Sequence, residues 1–499
     1  MIAKRVSELI TTDEVRTWDK GDIITIGAGT GAGKSFFVKT ILYAFAKKNH
    51  KRILFLIHRT NCVDQFRDEI ITDKKNDIID IRTYQSLESV HNEGFDFSVY
   101  DYIVCDEFHY FLGDASYNKT TDISLERILS QRSAIRVFMS ATGDYMKRYI
   151  NNNKRKITIN YRLPIYFDYI EKLSFYCGND SLNKVIENTL KKHEKIILFI
   201  ESAEAAYDLY LQYKKYALFN CSKSNKKYYK HVYIDKIKDM LKNEKFDETV
   251  LITTTCMDAG VNIKDTKVKT VVCDVRDVGV LIQCIGRKRL QPNDGKIHLY
   301  VKALNNQYLG GMKSQLKLNI KKADFLMSHN VKEYIAKFPR QSDYNNIVYA
   351  DTVDEDDKST HKINELMYLK CRLDIHDIDK MLAFGDYGYC RYLADKFGFH
   401  EDGIFEYDVL EESTRKDNLI NYLDSVVGIP YFQVKDRVGL INNIHAKANR
   451  KQLKRLSNLN GALEELRLPF RIIEFSTTSI INGKKKRFRK AWRVEKLII

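Results

Sequence analysis

The sequence predicts an α/β protein: two parallel-sheet units in tandem, then a mainly helical region that ends in a basic hairpin. Three observations carry this expectation. Apolar β-type runs alternate with helical stretches twice over, a glycine-rich loop joins the first run to a helix, and positive charge gathers at the carboxyl end. Strands that alternate with helices favour a parallel sheet covered on both faces.

The first unit is read over residues 1–160, with apolar runs at 23–26, 53–57, 78–83, 102–105 and 135–139. Directly after the first run stands Ala28-Gly29-Thr30-Gly31-Ala32-Gly33-Lys34-Ser35, followed by the helical apolar positions Phe36, Phe37, Val38, Ile41 and Leu42. A strand that breaks into glycines and restarts as a helix is a phosphate cradle. Glycine lets backbone N–H groups converge, and the helix start adds positive potential. Ala28 to Ser35 are therefore candidate nucleoside-triphosphate-binding residues, with Lys34 on the β- and γ-phosphates and Ser35 on Mg²⁺. The run at 102–105 leads into Asp106-Glu107-Phe108-His109. Carboxylates at the end of a parallel strand lie where open α/β sheets bind ligands. Asp106 is a candidate Mg²⁺ ligand and Glu107 a candidate to polarise the attacking water.

A second alternating set, read over 161–305, has runs at 196–200, 250–253, 268–273 and 297–301. Residues 306–445 read as a helical, Lys- and Tyr-rich accessory region with an acidic stretch, Asp354-Glu355-Asp356-Asp357. Residues 446–499 form the fourth part. Of the chain's net charge of +16, eleven units fall here, from fifteen Lys or Arg against four Asp or Glu. A basic terminal module points to a polyanion partner. Within it, 451–466 reads as a helix with Leu453, Leu456, Leu459 and Leu463 on one side, and Asn482-Gly483 as a tight hairpin turn. Period-two alternation puts Arg487, Arg489 and Arg493 on one face and Phe488, Trp492 and Val494 on the other. Helices followed by a basic two-stranded wing resemble a winged-helix module that holds nucleic-acid backbone. A solvated positive face on a structural cap is the alternative.

Composition narrows the classes. With 44% hydrophobic and 30% charged residues the chain suits a globular fold. No uncharged apolar run approaches the ~18 residues of a membrane span, and no secretory signal opens the chain. Nine scattered cysteines without a Cys-x-x-Cys pair argue against zinc sites and disulfides and predict free thiols in the cytoplasm.

Further motifs stand in order: Ser140-Ala141-Thr142, then Thr253-Thr254-Thr255 with Gly260-Val261-Asn262-Ile263, then Gln283-Cys284-Ile285-Gly286-Arg287-Lys288-Arg289. With the phosphate loop and Asp-Glu-x-His, they make the chain resemble the superfamily 2 DExH-box helicases over about residues 20–305. The resemblance implies two RecA-like domains that close on ATP and grip a nucleic-acid strand. It implies catalytic roles for Asp106, Glu107, His109, Gln283 and Arg287, and coupling of hydrolysis to movement by Ser140 and Thr142. It implies backbone contacts by Arg59, Thr83 and Gln85 in the first domain, and by Thr254 with Gly260 in the second.

The chain departs from the family in three places. Leu290 stands where a second arginine is usual, which leaves Arg287 and Arg289 as alternative cross-domain arginines. Asn262 replaces a more usual aspartate. No glutamine precedes Gln65, so the adenine-reading element of DEAD-box proteins is absent and that subgroup is disfavoured. Trp18 is either a base-stacking or a core residue.

The expectation is an ATP- and Mg²⁺-dependent DNA helicase or translocase in replication, recombination or repair. DNA is favoured over RNA, and no membrane partner is expected. The rivals are an RNA helicase, a duplex translocase, and a nucleotide-gated binding protein in which hydrolysis is a slow timer.

Overall fold

A computed structural model describes residues 5–497 except 59, 89–94, 117, 258–260, 291–294, 339–346, 354–357, 449–450, 467 and 482–483. The chain divides into two compact units: residues up to Phe175 together with Leu182–Tyr407, and Tyr176–Ser181 together with Asp408 onward.

The larger unit holds both parallel sheets. In the first, β1 (Ile23–Gly27), β2 (Ile53–Ile57), β3 (Ile79–Thr83), β4 (Tyr102–Asp106), β5 (Ile135–Ser140) and β6 (Ile159–Arg162) lie in the order β3-β2-β4-β5-β1-β6. Every pair in it is parallel. Leu54, Leu56, Ile103, Cys105 and Phe138 bury one face, and Ile24, Ile26, Phe55, Val104 and Val137 the other. Covering helices on both faces explain why these strands read as nearly continuous apolar runs.

The second sheet holds β7 (Ile170–Tyr176), β8 (Lys195–Ile200), β9 (Ala217–Asn220), β10 (Val250–Thr253), β11 (Val268–Asp274) and β12 (Ile297–Lys302). These run β7-β12-β11-β8-β10-β9. Three strands of the two sheets were not evident as apolar runs: β6, β7 and β9. Edge strand β6 is largely exposed, the exposed pair Glu171-Lys172 interrupts β7, and β9 spans four residues after a Lys/Tyr stretch.

The accessory region is less separate than expected. Ala323 of the helix Asn306–Ser328, and Leu366, Met367 and Cys371 of the helix Glu365–Ala383, join the core over the first sheet. This region also carries an antiparallel hairpin, Val348–Val353 with Lys358–Ile363. The acidic stretch 354–357 lies outside the described residues. Trp18 is a core residue: it is 4% exposed, donates from Nε1 to the Tyr161 hydroxyl at 3.1 Å, and meets Phe37 edge-on.

In the smaller unit the boundary differs from 446. Leu419 and Leu423 of the helix Leu410–Val426, and Leu440, Ile441 and Ile444 of the helix Val438–Ile444, share one core with Leu459, Leu463, Phe470, Trp492 and Val494. A cut at 446 passes through this core. The expected helix begins at Leu456 rather than 451, because Lys451–Gln452 pairs as a short antiparallel strand with Lys447–Ala448 instead. The long antiparallel pair Phe470–Ile481 with Lys484–Lys496 follows; its turn, Asn482-Gly483, lies outside the described residues.

Candidate nucleotide site between the two sheets

Register places the first half of the site. Gly27 pairs with Ser140 and Asp106 with Met139, so the phosphate loop, Asp-Glu-x-His and Ser-Ala-Thr leave adjacent strand ends together. Ala28 is fully buried and donates its N–H to the Ser140 carbonyl at 3.1 Å. Gly31 and Gly33 have φ of 88° and 86°, a region that side chains with a Cβ adopt at a cost. From Lys34 the chain is helical through Lys48, with a wider π-type turn at Val38–Leu42. Lys34 is 7% exposed, and its ammonium is seated inside the loop by the carbonyls of Ala28 at 3.0 Å and Gly29 at 3.4 Å. Glu107 Oε1 lies 3.9 Å from it.

Glu107 itself is held at φ 50°, a left-handed backbone that costs a non-glycine residue about 1–3 kcal/mol and clusters at functional sites. Burial acts to raise its carboxyl, but Lys34 and His109 outweigh burial and hold it below the usual carboxylate range. Burial, with the Glu107 charge beside it, raises Asp106 well above that range. Asp106 Oδ1 is buried and has no hydrogen-bond partner among the described residues. An orphaned carboxylate oxygen beside a phosphate loop fits a divalent cation, which would draw the proton off Asp106. Ser35 would be the second protein ligand.

A hydrogen-bond chain then crosses to the second sheet. His109 Nδ1 lies 2.9 Å from Ser140 Oγ and 3.4 Å from Glu107 Oε2. Gln283 Nε2 reaches His109 Nε2 at 2.8 Å and Thr142 Oγ1 at 3.3 Å, while the Thr142 N–H donates to Ser140 Oγ at 3.0 Å. With the Gln283 amide as donor, His109 Nε2 accepts and Nδ1 carries the proton. Ser140, Thr142, His109 and Gln283 thus form one network that runs from beside the Glu107 carboxylate to the second sheet.

The two arginines take different places. Arg287 is buried and turned back, with Nε donating to the Gln283 carbonyl at 3.1 Å. Arg289 lies against the phosphate loop: a Cβ built on Gly31 would sit 2.6 Å from its Nη1. Burial and the neighbouring Arg287 push Arg289 down to about 9. Two converging guanidiniums with one nearby carboxylate make a site that favours an incoming anion. Gly286 completes the approach, since a Cβ there would meet Thr30 at 2.9 Å.

Sequence reasoning missed the supporting roles of two residues, Asn262, named only as a departure, and Asp277. Asn262 accepts from Arg289 Nε at 2.8 Å and aims that side chain; nothing in the chain around it signals the pairing. Asp277 caps the helix Val278–Ile285, which carries Gln283, by accepting from the Val280 N–H at 3.0 Å. An aspartate just before an apolar helical run is the signal that was available. Lys370 of the helix Glu365–Ala383 reaches Asp277 at 3.1 Å, so the accessory region also supports this helix.

Other expected residues lie elsewhere. Thr83 ends β3 and accepts from the Ser86 N–H at 3.2 Å, with Gln85 exposed beside it. Thr254 is 6% exposed and its hydroxyl accepts from the Cys256 N–H at 3.4 Å, so in this structure it is a turn residue. Arg59 and Gly260 are outside the described residues. Arg487 and Arg489 are exposed on the smaller unit, whereas Arg493 pairs with Glu495 and covers the Phe475 ring.

Gly143, directly after Ser-Ala-Thr, is a sharp packing constraint. A Cβ there would lie 2.2 and 2.4 Å from two ring atoms of Phe108, which is 2% exposed. Gly143→Ala is expected to cost about 1–3 kcal/mol by overpacking, read as a lower urea midpoint. An unchanged midpoint would show that the Phe108 ring moves freely.

Residues 3–144 match the family described as Type III restriction enzyme, res subunit. The matched stretch spans the phosphate loop, Asp-Glu-x-His and Ser-Ala-Thr. Over that stretch the chain is similar to a helicase-type domain. No curated protein matches the chain. Similar solved structures include the DEAD-box helicase Mss116 bound to ssRNA and UDP-BeF, at 16% identity over 60% of this chain and 69% of that chain, TM-score 0.46. Another is Mss116p bound to ssRNA and AMP-PNP, at 15% identity over 76% and 90%, TM-score 0.44. A third is S. cerevisiae Dbp5 bound to RNA and ADP BeF3, at 18% over 56% and 78%, TM-score 0.41. At such scores the likeness stops short of function. Among the described residues no helix is long and apolar enough to cross a membrane.

Proposed function

We propose that this helicase-like protein is a nucleic-acid-dependent ATPase that translocates on DNA or separates its strands. The observation that carries the reading is the meeting of Lys34, Glu107 and Arg289, from two sheets, around one phosphate loop. In this reading Lys34 takes up phosphate charge, and Glu107, kept ionised, accepts a proton from the attacking water. Arg289 reaches the γ-phosphate, while Arg287 braces the end of the Gln283 helix. Mg²⁺, held by Ser35 and Asp106, would neutralise phosphate charge. The His109–Gln283 contact reports the state of the site to the second lobe. Thr83 and Gln85, at the carboxyl end of β3, are assigned to the nucleic-acid backbone. The restriction-enzyme description of the matching family supports DNA over RNA.

The test is ATP hydrolysis with single-stranded DNA, duplex DNA, forked DNA and RNA as separate stimulants. Stimulation by one or more of the DNAs is expected. Stimulation by RNA alone would replace DNA as substrate, and no stimulation by any would favour a nucleotide-gated timer.

A further inference from the structure

The smaller unit carries a basic groove of about 570 Å³ lined by its own residues. One wall is the turn Phe432–Arg437 and the other the strand segment Arg487–Lys490. The turn is fastened to the strand, because Tyr431 and Trp492 exchange backbone hydrogen bonds at 2.8 and 2.9 Å. Five cations line the groove: Lys435, Arg437, Arg487, Arg489 and Lys490, with no carboxylate among the lining residues. Asp436 does not line the groove and accepts from the Gln433 N–H at 2.8 Å, while it and Glu474 lie close enough to Arg437 to favour its charge.

A bulge makes this concentration of charge. Phe475 pairs with Ala491 but Thr477 with Phe488, so Arg489 and Lys490 together face the single residue Ser476. Strict alternation would put Lys490 on the buried face with Phe488 and Trp492. The extra residue instead leaves Arg487, Arg489 and Lys490 all exposed. Among the described residues, Lys435, Arg487, Arg489 and Lys490 have no ion-pair partner. Arg437 lies 4.1 Å over the Trp492 ring and donates to the Lys490 carbonyl, with its buried Nε unpartnered among the described residues. Phe432, half-buried at the rim, packs on Phe488 with ring centroids 4.8 Å apart.

We infer that this groove is a second nucleic-acid site, one that holds a single strand with its phosphates along Arg487, Arg489 and Lys490 and a base against Phe432. The choice of nucleic acid among polyanions rests on the helicase reading. A positively charged groove with aromatic rings is the general form of single-strand sites. Duplex grooves are entered by projecting helices or ribbons, and this surface is concave. Arg487 and Arg489 are alternate residues of one strand, about 6.6 Å apart, which lets their side chains take successive phosphates. Binding here needs no nucleotide.

The full-length protein is titrated by fluorescence anisotropy, without ATP, against a labelled single-stranded oligonucleotide and a blunt duplex at several salt concentrations. The wild type should prefer the single strand. Arg487→Ala with Arg489→Ala should weaken that binding and flatten the log–log salt slope by about 1.4, at about 0.7 per lost phosphate contact. Phe432→Leu, which keeps an apolar side chain in place, should weaken binding at least about fivefold with the salt slope unchanged. Lys34→Ala should bind the oligonucleotide like the wild type, which separates this site from the motor. Unchanged affinity and slope in the arginine variant, a preference for the duplex, or displacement by polyglutamate as readily as by oligonucleotide would each overturn the inference. None of these outcomes bears on ATP hydrolysis, and a failure of the ATPase reading would leave the titration untouched.

Discussion

Glu107→Gln is expected to abolish most turnover while ATP still binds. The glutamine keeps the shape of the side chain at φ 50°, so the backbone strain and the packing beside Lys34 survive. What it loses is the base. A positioned carboxylate contributes about 10²–10⁴-fold to proton transfer, and kcat should fall by that range. The environment explains why this carboxylate suits proton abstraction, since Lys34 and His109 keep it charged despite its burial. Lys34→Ala should differ, weakening ATP binding as well as turnover, because it removes the ammonium seated among the loop's carbonyls. Steady-state hydrolysis paired with a fluorescent-nucleotide titration distinguishes the two. Wild-type turnover in Glu107→Gln would remove it from the catalytic role.

Arg289→Ala is expected to lower kcat by about 10³–10⁵-fold with a much smaller change in KM, the signature of a cross-domain arginine that acts on the transition state. Arg287→Ala should lose less, since its Nε is spent on the Gln283 carbonyl. Arg289→Lys should not restore the rate, because an ammonium cannot reproduce the planar fork aimed by Asn262. Asn262→Ala should fall between, releasing the guanidinium without removing it. The reverse order, with Arg287→Ala the more damaging, would transfer the role. Comparable small losses in both would mean that neither arginine reaches the phosphate.

The parts of this site that could be read from the sequence are those set by short-range chain geometry. A glycine loop between strand and helix, carboxylates at a strand end, and glutamine and arginine one helical turn apart each fix their own local shape. Position along the sheet then follows from parallel register, as with Gly27 beside Ser140. The unread parts depend on contacts between distant segments. Asn262 meets Arg289 only because the isolated bridge Ile263–Lys288 brings two loops together. The choice between Arg287 and Arg289 turns on which side chain faces Gly31, and sequence spacing leaves that open. The accessory helices read as a separate region because their apolar faces give no hint of the sheet they cover. In the smaller unit a one-residue bulge defeated period-two reasoning, moving Lys490 outward, while Arg493 found Glu495.

The central claim is that nucleic acid drives ATP hydrolysis in a site built from both lobes. It is tested most directly by measuring hydrolysis at saturating ATP, with and without single-stranded DNA, in the wild type and in Glu107→Gln side by side. The account predicts a rate that rises with DNA in the wild type and stays near background in the variant. A wild-type rate indifferent to DNA, or equal rates in the two proteins, would contradict it.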